Sequence, residues 1–189
     1  MTQMSAAEFE SRYQQDPDPW CYTSSDYERE KYAATLAACG PGPFACALEL
    51  GASIGVFSEQ LAPRCQRLVT LDAAPTAVAA ARVRLVPHPS ATAILGSIPA
   101  AIPAHEYDLV LASEILYYLN EKDLTATLAI IRERLAPDGR LVAVHWRPAG
   151  PERPRDAMSV HGLLREQPWL TSSESGGTEN YVLDVLEHR

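Results

Sequence analysis

The chain has 189 residues, of which 47% are hydrophobic and 21% charged, a balance typical of one globular domain rather than a disordered chain or a coiled coil. The formal net charge of −8 argues against non-specific binding to nucleic acid and against docking on anionic lipid, since both need a basic surface. No apolar run is long enough to span a bilayer, and residues 1–13 lack the apolar core of a secretory signal.

The four cysteines form no Cys-x-x-Cys pair, and none has the spacing from a histidine that a zinc site requires. Isolated thiols of this kind are typical of a reducing compartment. We therefore expect a cytoplasmic protein without a metal site, whose partner is a small molecule or another protein rather than nucleic acid or a membrane.

Residues 1–43 are predicted to be helical. Ser5 and Glu8 have the spacing of a capping box, which begins a first helix. The first helix ends at the proline-rich run Asp16–Pro19, and a second helix follows and ends at Gly40–Pro43. Both runs stop a helix because a residue before proline is pushed out of the α region. Trp20 lies in the loop that joins these helices. Loops commonly carry function, so we expect this segment to form a lid.

From residue 44 onward, short apolar runs alternate with helical patterns, as in a parallel sheet with helices on both faces. The predicted strands are Ala45–Leu50, Leu68–Leu71, Ala91–Leu95, Tyr107–Ala112 and Leu141–Val144, and the predicted helices are Val56–Leu61, Thr76–Leu85 and Leu124–Leu135. A turn is predicted at Pro137–Gly139.

The tail has a different pattern. It predicts a short helix at Ser159–Arg165 and two strands near 169–171 and 181–186, separated by a turn at Ser175–Gly177. The expected architecture is one α/β domain with three layers and a doubly wound, mostly parallel, seven-stranded sheet with a closing antiparallel strand. Within it, residues 1–43 form the helical lid, 44–147 the ligand-binding core and 148–189 a C-terminal helix and hairpin.

The most informative segment is the loop after the first core strand, Glu49-Leu50-Gly51-Ala52-Ser53-Ile54-Gly55. Ligands of open α/β sheets bind at the carboxyl ends of the strands, and Asp72 ends the next strand, where an acidic residue receives ribose hydroxyls. The loop lacks the Gly-x-Gly-x-x-Gly pattern that holds a pyrophosphate, and the carboxylate of Glu49 would repel one. A cationic ligand with a ribose and no phosphate fits, which points to S-adenosylmethionine.

The order of motifs resembles a class I S-adenosylmethionine-dependent methyltransferase with a Rossmann-like fold and, more narrowly, the nodulation protein S family of N-methyltransferases. The resemblance covers residues 8–147. It is carried by Asp18–Trp20, Tyr27-Glu28, Lys31-Tyr32, Thr35-Leu36, Leu48–Gly55, Asp72, Gly96–Pro99, Tyr107–Val110, Ser113–Leu119, Pro137–Gly139 and His145-Trp146. The glycine usual at the middle of the loop is Ser53 here, a replacement that the narrower family tolerates.

The resemblance implies that S-adenosyl-L-methionine binds at the sheet edge and leaves as S-adenosyl-L-homocysteine. Asp72 would bind the ribose, Trp20 would cover the cofactor, and Glu49 would act behind the glycine loop. The other implied contacts are Gly51, Ala52, Ser53 and Gly55 beneath the methionine part, Ala73, Ser97 and Ile98 at the adenine, and Ser113 near the methyl group.

Two residues are predicted to act on the acceptor. His145 ends an apolar strand at the carboxyl edge, where it would accept a proton or hydrogen-bond the nucleophile, or else serve as a structural histidine. Glu114 is the second candidate, whereas His161 is expected at the surface. The predicted substrate contacts are Tyr117, Tyr118 and Trp146; the two tyrosines are adjacent, so we expect one to pack in the core and the other to face the cleft.

The sequence thus predicts methyl transfer to a small molecule, and the resemblance favours the nitrogen of an amino sugar or chito-oligosaccharide. The alternatives are O- or N-methylation of another metabolite, a catalytically inactive cofactor-binding protein, and an NAD-dependent oxidoreductase. The oligomeric state stays open.

Overall fold

The computed structural model describes residues 4–148, 150 and 152–189. Residues 1–3, Ala149 and Pro151 lie outside that description, and with them three residues of the predicted lid and two of the tail. The helices of the described part are α1 (Ala6–Gln15), α2 (Asp26–Cys39), α3 (Val56–Leu61), α4 (Pro75–Arg84), α5 (Glu121–Arg134) and α6 (Ala157–Arg165). Its strands are β1 (Ala47–Leu50), β2 (Leu68–Asp72), β3 (Ala91–Leu95), β4 (Tyr107–Ser113), β5 (Leu135–Trp146), β6 (Leu170–Gly177) and β7 (Tyr181–His188).

The N-terminal helices begin and end for local reasons. The Ser5 side chain accepts a hydrogen bond from the backbone N–H of Glu8, whose carboxylate accepts one from the Ser5 N–H at 2.7 Å, so the predicted capping box is present. Asp16, which precedes a proline, is extended and ends α1. The Ser25 side chain accepts a hydrogen bond from the backbone N–H of Glu28 and so caps α2.

The seven strands form one open sheet in the order β3-β2-β1-β4-β5-β7-β6. Strands β1 to β5 are parallel, whereas β7 runs antiparallel to both of its neighbours, β5 and β6. The chain proceeds outward from β1 to β3 and then returns to place β4 beside β1. The strand order therefore reverses between β1 and β4, which creates the crevice in which ligands of such sheets bind.

The sheet is buried on both faces. Ala47 and Leu48, neighbours on β1, are almost fully buried but belong to two different hydrophobic clusters, because successive side chains of a strand point to opposite faces. Helices α2 and α3 contribute to the cluster on one face, and α5 and α6 contribute to the cluster on the other. The predicted three-layer, doubly wound arrangement is confirmed.

Two predicted turns lie inside strands instead. Ser175–Gly177 pairs with β7, and the hairpin turns only at residues 178–180, because β7 is buried along most of its length and its outer edge stays paired. Pro137–Gly139 lies within β5, where Asp138 has a φ of +61° and the pairing with β4 shifts register. None of the described helices is long and apolar enough to cross a membrane.

Candidate active site

A cavity of about 340 Å³ opens at the carboxyl ends of β1 to β5, beneath α1 and α2. This volume lies within the range of small-molecule sites. We name two parts of its lining, the glycine-loop half and the lysine half. The glycine-loop half consists of Gly51, Ser53, Leu71, Asp72, Ala73, Gly96 and Ile98, and the lysine half consists of Tyr27, Glu28, Lys31, Glu114, Tyr117, Trp146, Glu152 and Arg153.

Both glycines of the glycine loop are required by its backbone conformation and by close neighbours. Gly51 has a φ of +71°, and a Cβ atom there would lie 3.0 Å from the side chain of Ile115. Gly55 has a φ of +78°, and its Cβ would lie 3.0 Å from the backbone and side chain of Ala81. L-amino acids other than glycine rarely adopt this backbone region, so any side chain at either position would be both strained and crowded.

Asp72 links the glycine loop to the end of β2. Its carboxylate accepts hydrogen bonds from the backbone N–H groups of Ser53 at 2.8 Å and Ala74 at 2.9 Å, one on each oxygen. Burial raises the pKa of Asp72 even though these bonds oppose the shift. A carboxylate oxygen can accept two hydrogen bonds, so each oxygen retains capacity for a ligand hydroxyl at the cavity.

Aromatic side chains of the N-terminal segment cover the cavity. Trp20 packs against Tyr13 with ring centroids 5.4 Å apart, and both line the cavity. The Tyr13 hydroxyl donates a hydrogen bond to Ser53 Oγ at 2.5 Å, and the carboxylate of Glu10 accepts one from the backbone N–H of Thr76 at 2.9 Å. Helix α1 is thereby tied to the glycine loop and to the first turn of α4.

The lysine half contains a buried ion cluster formed by Glu28, Lys31 and Glu114. Lys31, of which 2% is exposed, places Nζ 2.7 Å from an oxygen of Glu114 and 3.0 Å from an oxygen of Glu28. Burial alone would lower the pKa of Lys31, but the two carboxylates outweigh it and raise the pKa. The other oxygen of Glu114 accepts hydrogen bonds from the Tyr117 hydroxyl and, at 2.9 Å, from the Trp146 N–H. The cluster holds two carboxylates against one cation.

Glu49 lies behind the glycine loop, as the resemblance implies, but does not line the cavity. It belongs to the face of β1 that α3 covers, where the Ser58 hydroxyl donates a hydrogen bond to its carboxylate. Burial raises the pKa of Glu49 to about 7. The carboxylate of Glu49 therefore faces α3 and not the cavity.

His145 does not line the cavity either, although it immediately precedes Trp146, the lining residue that ends β5. The ring is fully buried, and its Nε2 accepts a hydrogen bond from the backbone N–H of Leu116 at 3.1 Å. Burial and the neighbouring His161, Lys31 and Arg153 hold the pKa of His145 well below its ordinary value. The predicted surface position of His161 is wrong: this side chain is also fully buried, because it fills the space between α6 and the sheet with hydrogen-bond partners on both ring nitrogens.

The comparisons with known proteins agree with this geometry. The family Nodulation protein S (NodS) matches residues 3–151. The chain belongs to the NodS family. Nodulation protein S of Rhizobium tropici is 33% identical over 138 residues, which are 72% of this chain and 58% of that protein. For Sinorhizobium fredii the identity is 33% over 129 residues, 66% of this chain and 59% of the relative. The chain thus spans less than two thirds of the length of these curated relatives.

Solved structures show the same fold. The N-methyltransferase NodS from Bradyrhizobium japonicum WM9, in complex with S-adenosyl-L-homocysteine, superimposes with a TM-score of 0.87 at 27% identity, covering 98% of this chain and 99% of that one. A putative methyltransferase from Pseudomonas syringae is 35% identical with a TM-score of 0.75, covering 86% of this chain and 99% of that one. The predicted family and the Rossmann-like methyltransferase fold are confirmed.

The structure brings most, but not all, of the site residues predicted for a NodS-like protein to the cavity. Those that line it are Trp20, Gly51, Ser53, Asp72, Ala73, Ile98, Glu114, Tyr117, Tyr118 and Trp146, and those that do not are Glu49, Ala52, Gly55, Ser97, Ser113 and His145. Tyr117 and Tyr118 both line the cavity, contrary to the expectation that only one would. They belong to a 3₁₀ turn, Leu116–Tyr118, which places their rings 4.8 Å apart on the same side.

The sequence pattern indicates no role for several lining residues, most notably Tyr13, Glu28, Lys31 and Arg153. Glu28 and Lys31 have the i, i+3 spacing of an ordinary exposed ion pair on a helix, so nothing in the pattern shows that the pair is buried. The position of Tyr13 four residues after Phe9 does predict a common apolar face, but the contact of its hydroxyl with Ser53 spans 40 residues.

Proposed function

We propose that the protein is an S-adenosylmethionine-dependent methyltransferase whose acceptor is the amine of a small molecule. One observation carries this proposal: a single cavity joins a glycine-loop half, which contains the carboxylate of Asp72, to a lysine half rich in carboxylates. The first half suits a nucleoside without phosphates, because none of its residues is basic. The complex of S-adenosyl-L-homocysteine with NodS from Bradyrhizobium japonicum supports the choice of nucleoside.

The residues of the glycine-loop half fit the cofactor. Asp72 would accept hydrogen bonds from the ribose hydroxyls with its remaining capacity, and Ala73 and Ile98 would contact the adenine. Gly51 and Ser53 would pass beneath the methionine part, where the net negative charge of the cavity favours a cation. When bound, S-adenosylmethionine supplies a methyl group that is already activated as a sulfonium.

The lysine half would orient the acceptor. Lys31, Tyr117 and the Trp146 N–H hold the carboxylate of Glu114 in one orientation, and the oxygen bound to Lys31 retains a free lone pair. A neutral amine that donates a hydrogen bond to this oxygen would direct its lone pair at the methyl group. The N–C bond would form as the C–S bond breaks, and the resulting ammonium would then release its proton to solvent or to Glu114. Alignment and exclusion of water supply most of the acceleration that a pre-activated donor needs.

The acceptor that family membership favours is an amino sugar or a chito-oligosaccharide-type amine. Trp146 lines the cavity and is 40% exposed, so the part of its ring that Arg153 leaves open offers an apolar surface on which a sugar ring can stack. We also propose that residues 1–43 act as a lid over a cofactor-binding core at 44–147, and that the helix and hairpin at 148–189 complete the same domain.

Titration calorimetry and a methyl-transfer assay with isotope-labelled cofactor test these proposals. We expect micromolar binding of S-adenosylhomocysteine and transfer to primary amines in a panel of amino sugars, deacetylated chito-oligosaccharides and hydroxylated analogues. Binding without transfer to any acceptor would indicate an inactive cofactor-binding protein. Transfer to hydroxyls alone would contradict the acceptor class, and binding of NAD in place of S-adenosylhomocysteine would overturn the cofactor.

Glu114→Gln separates orientation of the acceptor from binding of the cofactor. The amide keeps the shape of the side chain but loses the negative charge that attracts and orients an amine. Turnover should fall about tenfold or more, while the affinity for S-adenosylhomocysteine stays within about threefold of wild type. Equal losses of turnover and affinity would mean that Glu114 contributes to the cofactor site instead.

A further inference from the structure

Behind the lysine half, three side chains that do not line the cavity form an unbroken hydrogen-bonded chain. His145 Nδ1 lies 3.0 Å from His161 Nε2, and His161 Nδ1 lies 2.7 Å from a carboxylate oxygen of Asp184. All three side chains are fully buried. Arg165 and Ser175 donate further hydrogen bonds to Asp184. We call His145, His161 and Asp184 the histidine chain.

The hydrogen bonds determine which ring nitrogens carry protons. The backbone N–H of Leu116 can only donate, so Nε2 of His145 is the acceptor and carries no proton. The single proton of this ring is therefore on Nδ1 and is donated to His161 Nε2. His161 in turn carries its proton on Nδ1 and donates it to Asp184. Burial alone would raise the pKa of Asp184, but the hydrogen bonds from His161, Arg165 and Ser175 outweigh it and hold the pKa at about 2.

The end of the histidine chain nearest the cavity is a peptide N–H, which does not exchange its proton with a bound acceptor during a reaction. The histidine chain therefore cannot take up a proton from the methyl acceptor through Leu116. It holds this N–H in place. Leu116 begins the 3₁₀ turn, where an N–H has no partner within the turn, and the ring of His145 satisfies it.

The segment that this bond holds contributes four residues to the cavity: Glu114, Ile115, Tyr117 and Tyr118. Glu114 has a φ of +54°, an unfavourable backbone region for this residue, so the segment needs external support to keep its shape. Tyr117 depends on the same turn to reach Glu114 with its hydroxyl.

We propose that His145, His161 and Asp184 are positioning residues, which fix the segment Glu114–Tyr118 for methyl transfer. This inference rests on the proposed function. His161 lies on α6 and Asp184 on β7, both beyond the residues that match the NodS family. The C-terminal part of the chain would thus contribute to activity from behind the site, without touching either ligand.

Two substitutions of His145 separate positioning from proton transfer. The amide oxygen of His145→Gln can reach the place of Nε2 and still accept from Leu116, whereas the shorter side chain of His145→Asn reaches only the place of Nδ1. We expect His145→Asn to lower kcat about tenfold to a hundredfold with the Kd of S-adenosylhomocysteine within about threefold of wild type. His145→Gln should restore kcat to within about threefold. Equal, large losses of kcat in both variants would identify His145 as a proton acceptor and overturn the proposal, as would full activity of both.

A second measurement does not depend on turnover. In protein labelled with ¹⁵N-histidine, the ring resonances of the wild type should show His145 and His161 neutral with their protons on Nδ1. The Leu116 amide should exchange slowly with solvent in the wild type and in His145→Gln, and faster in His145→Asn. A proton on Nε2 of His145, or rapid exchange at Leu116 in the wild type, would overturn the proposal even where a variant fails to fold. If the wild type methylates no acceptor while these resonances and exchange rates are as expected, the proposed function fails and the support of Leu116 by the histidine chain stands.

Discussion

The two halves of the cavity are built by different means. The glycine-loop half comes from the consecutive ends of β1, β2 and β3, and its shape depends on backbone geometry and on one carboxylate, Asp72. The lysine half combines side chains from α2, from the end of β4 and from the end of β5, and it depends on buried charges. A short stretch of chain suffices for the first, whereas the second requires the whole sheet to be assembled.

This difference has an energetic consequence. In the glycine-loop half, the carboxylate of Asp72 keeps the backbone N–H groups of Ser53 and Ala74 as partners whether or not a ligand is bound. In the lysine half, the removal of Lys31 leaves the carboxylates of Glu28 and Glu114 buried without their cation, and the cost of an unpaired buried charge is several kcal/mol. We therefore expect the loss of Lys31 to affect folding first, and substitutions in the glycine-loop half to affect binding first.

The largest expected effect tests the lysine half. Lys31→Met leaves Glu28 and Glu114 without their shared cation, so the free energy of unfolding should fall by about 3–5 kcal/mol in urea denaturation. Adding Glu28→Gln and Glu114→Gln to this variant should recover much of the loss, since neither partner of Lys31 then carries a buried charge. The control is Arg29→Met, whose ion pair with Asp26 is exposed and should contribute nothing measurable. Similar stabilities of Lys31→Met and the control would show that the cluster is hydrated.

The corresponding test of the glycine-loop half is Asp72→Ala. Loss of the ribose hydrogen bonds should weaken the binding of S-adenosylhomocysteine by about 1.5–3 kcal/mol, which calorimetry measures directly. Asp108 provides a matched control, because it also accepts hydrogen bonds from two backbone N–H groups, but at the amino end of β4, away from the cavity. Asp108→Ala should change stability but not affinity. Unchanged affinity in Asp72→Ala would refute the ribose role.

The raised pKa of Glu49, behind the glycine loop, can be tested by measuring the free energy of unfolding as a function of pH. The unfolded chain releases the Glu49 proton near the ordinary value of 4.5, whereas the folded protein retains it up to about pH 7. Between these values the folded state binds more protons, so rising pH destabilises it. Glu49→Gln lacks this effect. Its unfolding free energy relative to wild type should increase by about 2 kcal/mol from about pH 5 to about pH 8. A constant difference across this range would contradict the raised pKa.

The smallest effect concerns the contact between the N-terminal segment and the loop. Tyr13→Phe removes the hydrogen bond to Ser53 and should weaken binding of S-adenosylhomocysteine by about 0.5–1.5 kcal/mol. Tyr107→Phe serves as the control, since the Tyr107 hydroxyl donates to a backbone carbonyl outside the cavity. If both variants bind equally well, the hydroxyl of Tyr13 does not support a lid over the cofactor.

The strands and helices of the core could be predicted because each is defined by a run of a few residues. The apolar run Leu68–Leu71 can only be a buried strand in this setting, and Ser5 and Glu8 specify a helix start by themselves. The turn predicted at Ser175–Gly177 was misplaced, because the length of the neighbouring strand β7 decides where the hairpin ends. Local turn preferences are weaker than the pairing of a buried strand.

By itself, the sequence determined the glycine-loop half. Its glycines, the alternation of strand and helix, and Asp72 on the next strand lie close together along the chain, so their spacing implies their geometry. Only the tertiary structure decided the roles of Lys31, His145 and His161. Each of these side chains is buried through contacts with residues far along the chain, and burial determines whether such a group pairs, stays neutral or reaches a ligand. A lysine or histidine on a helix or strand looks the same in sequence whether it faces solvent or the interior.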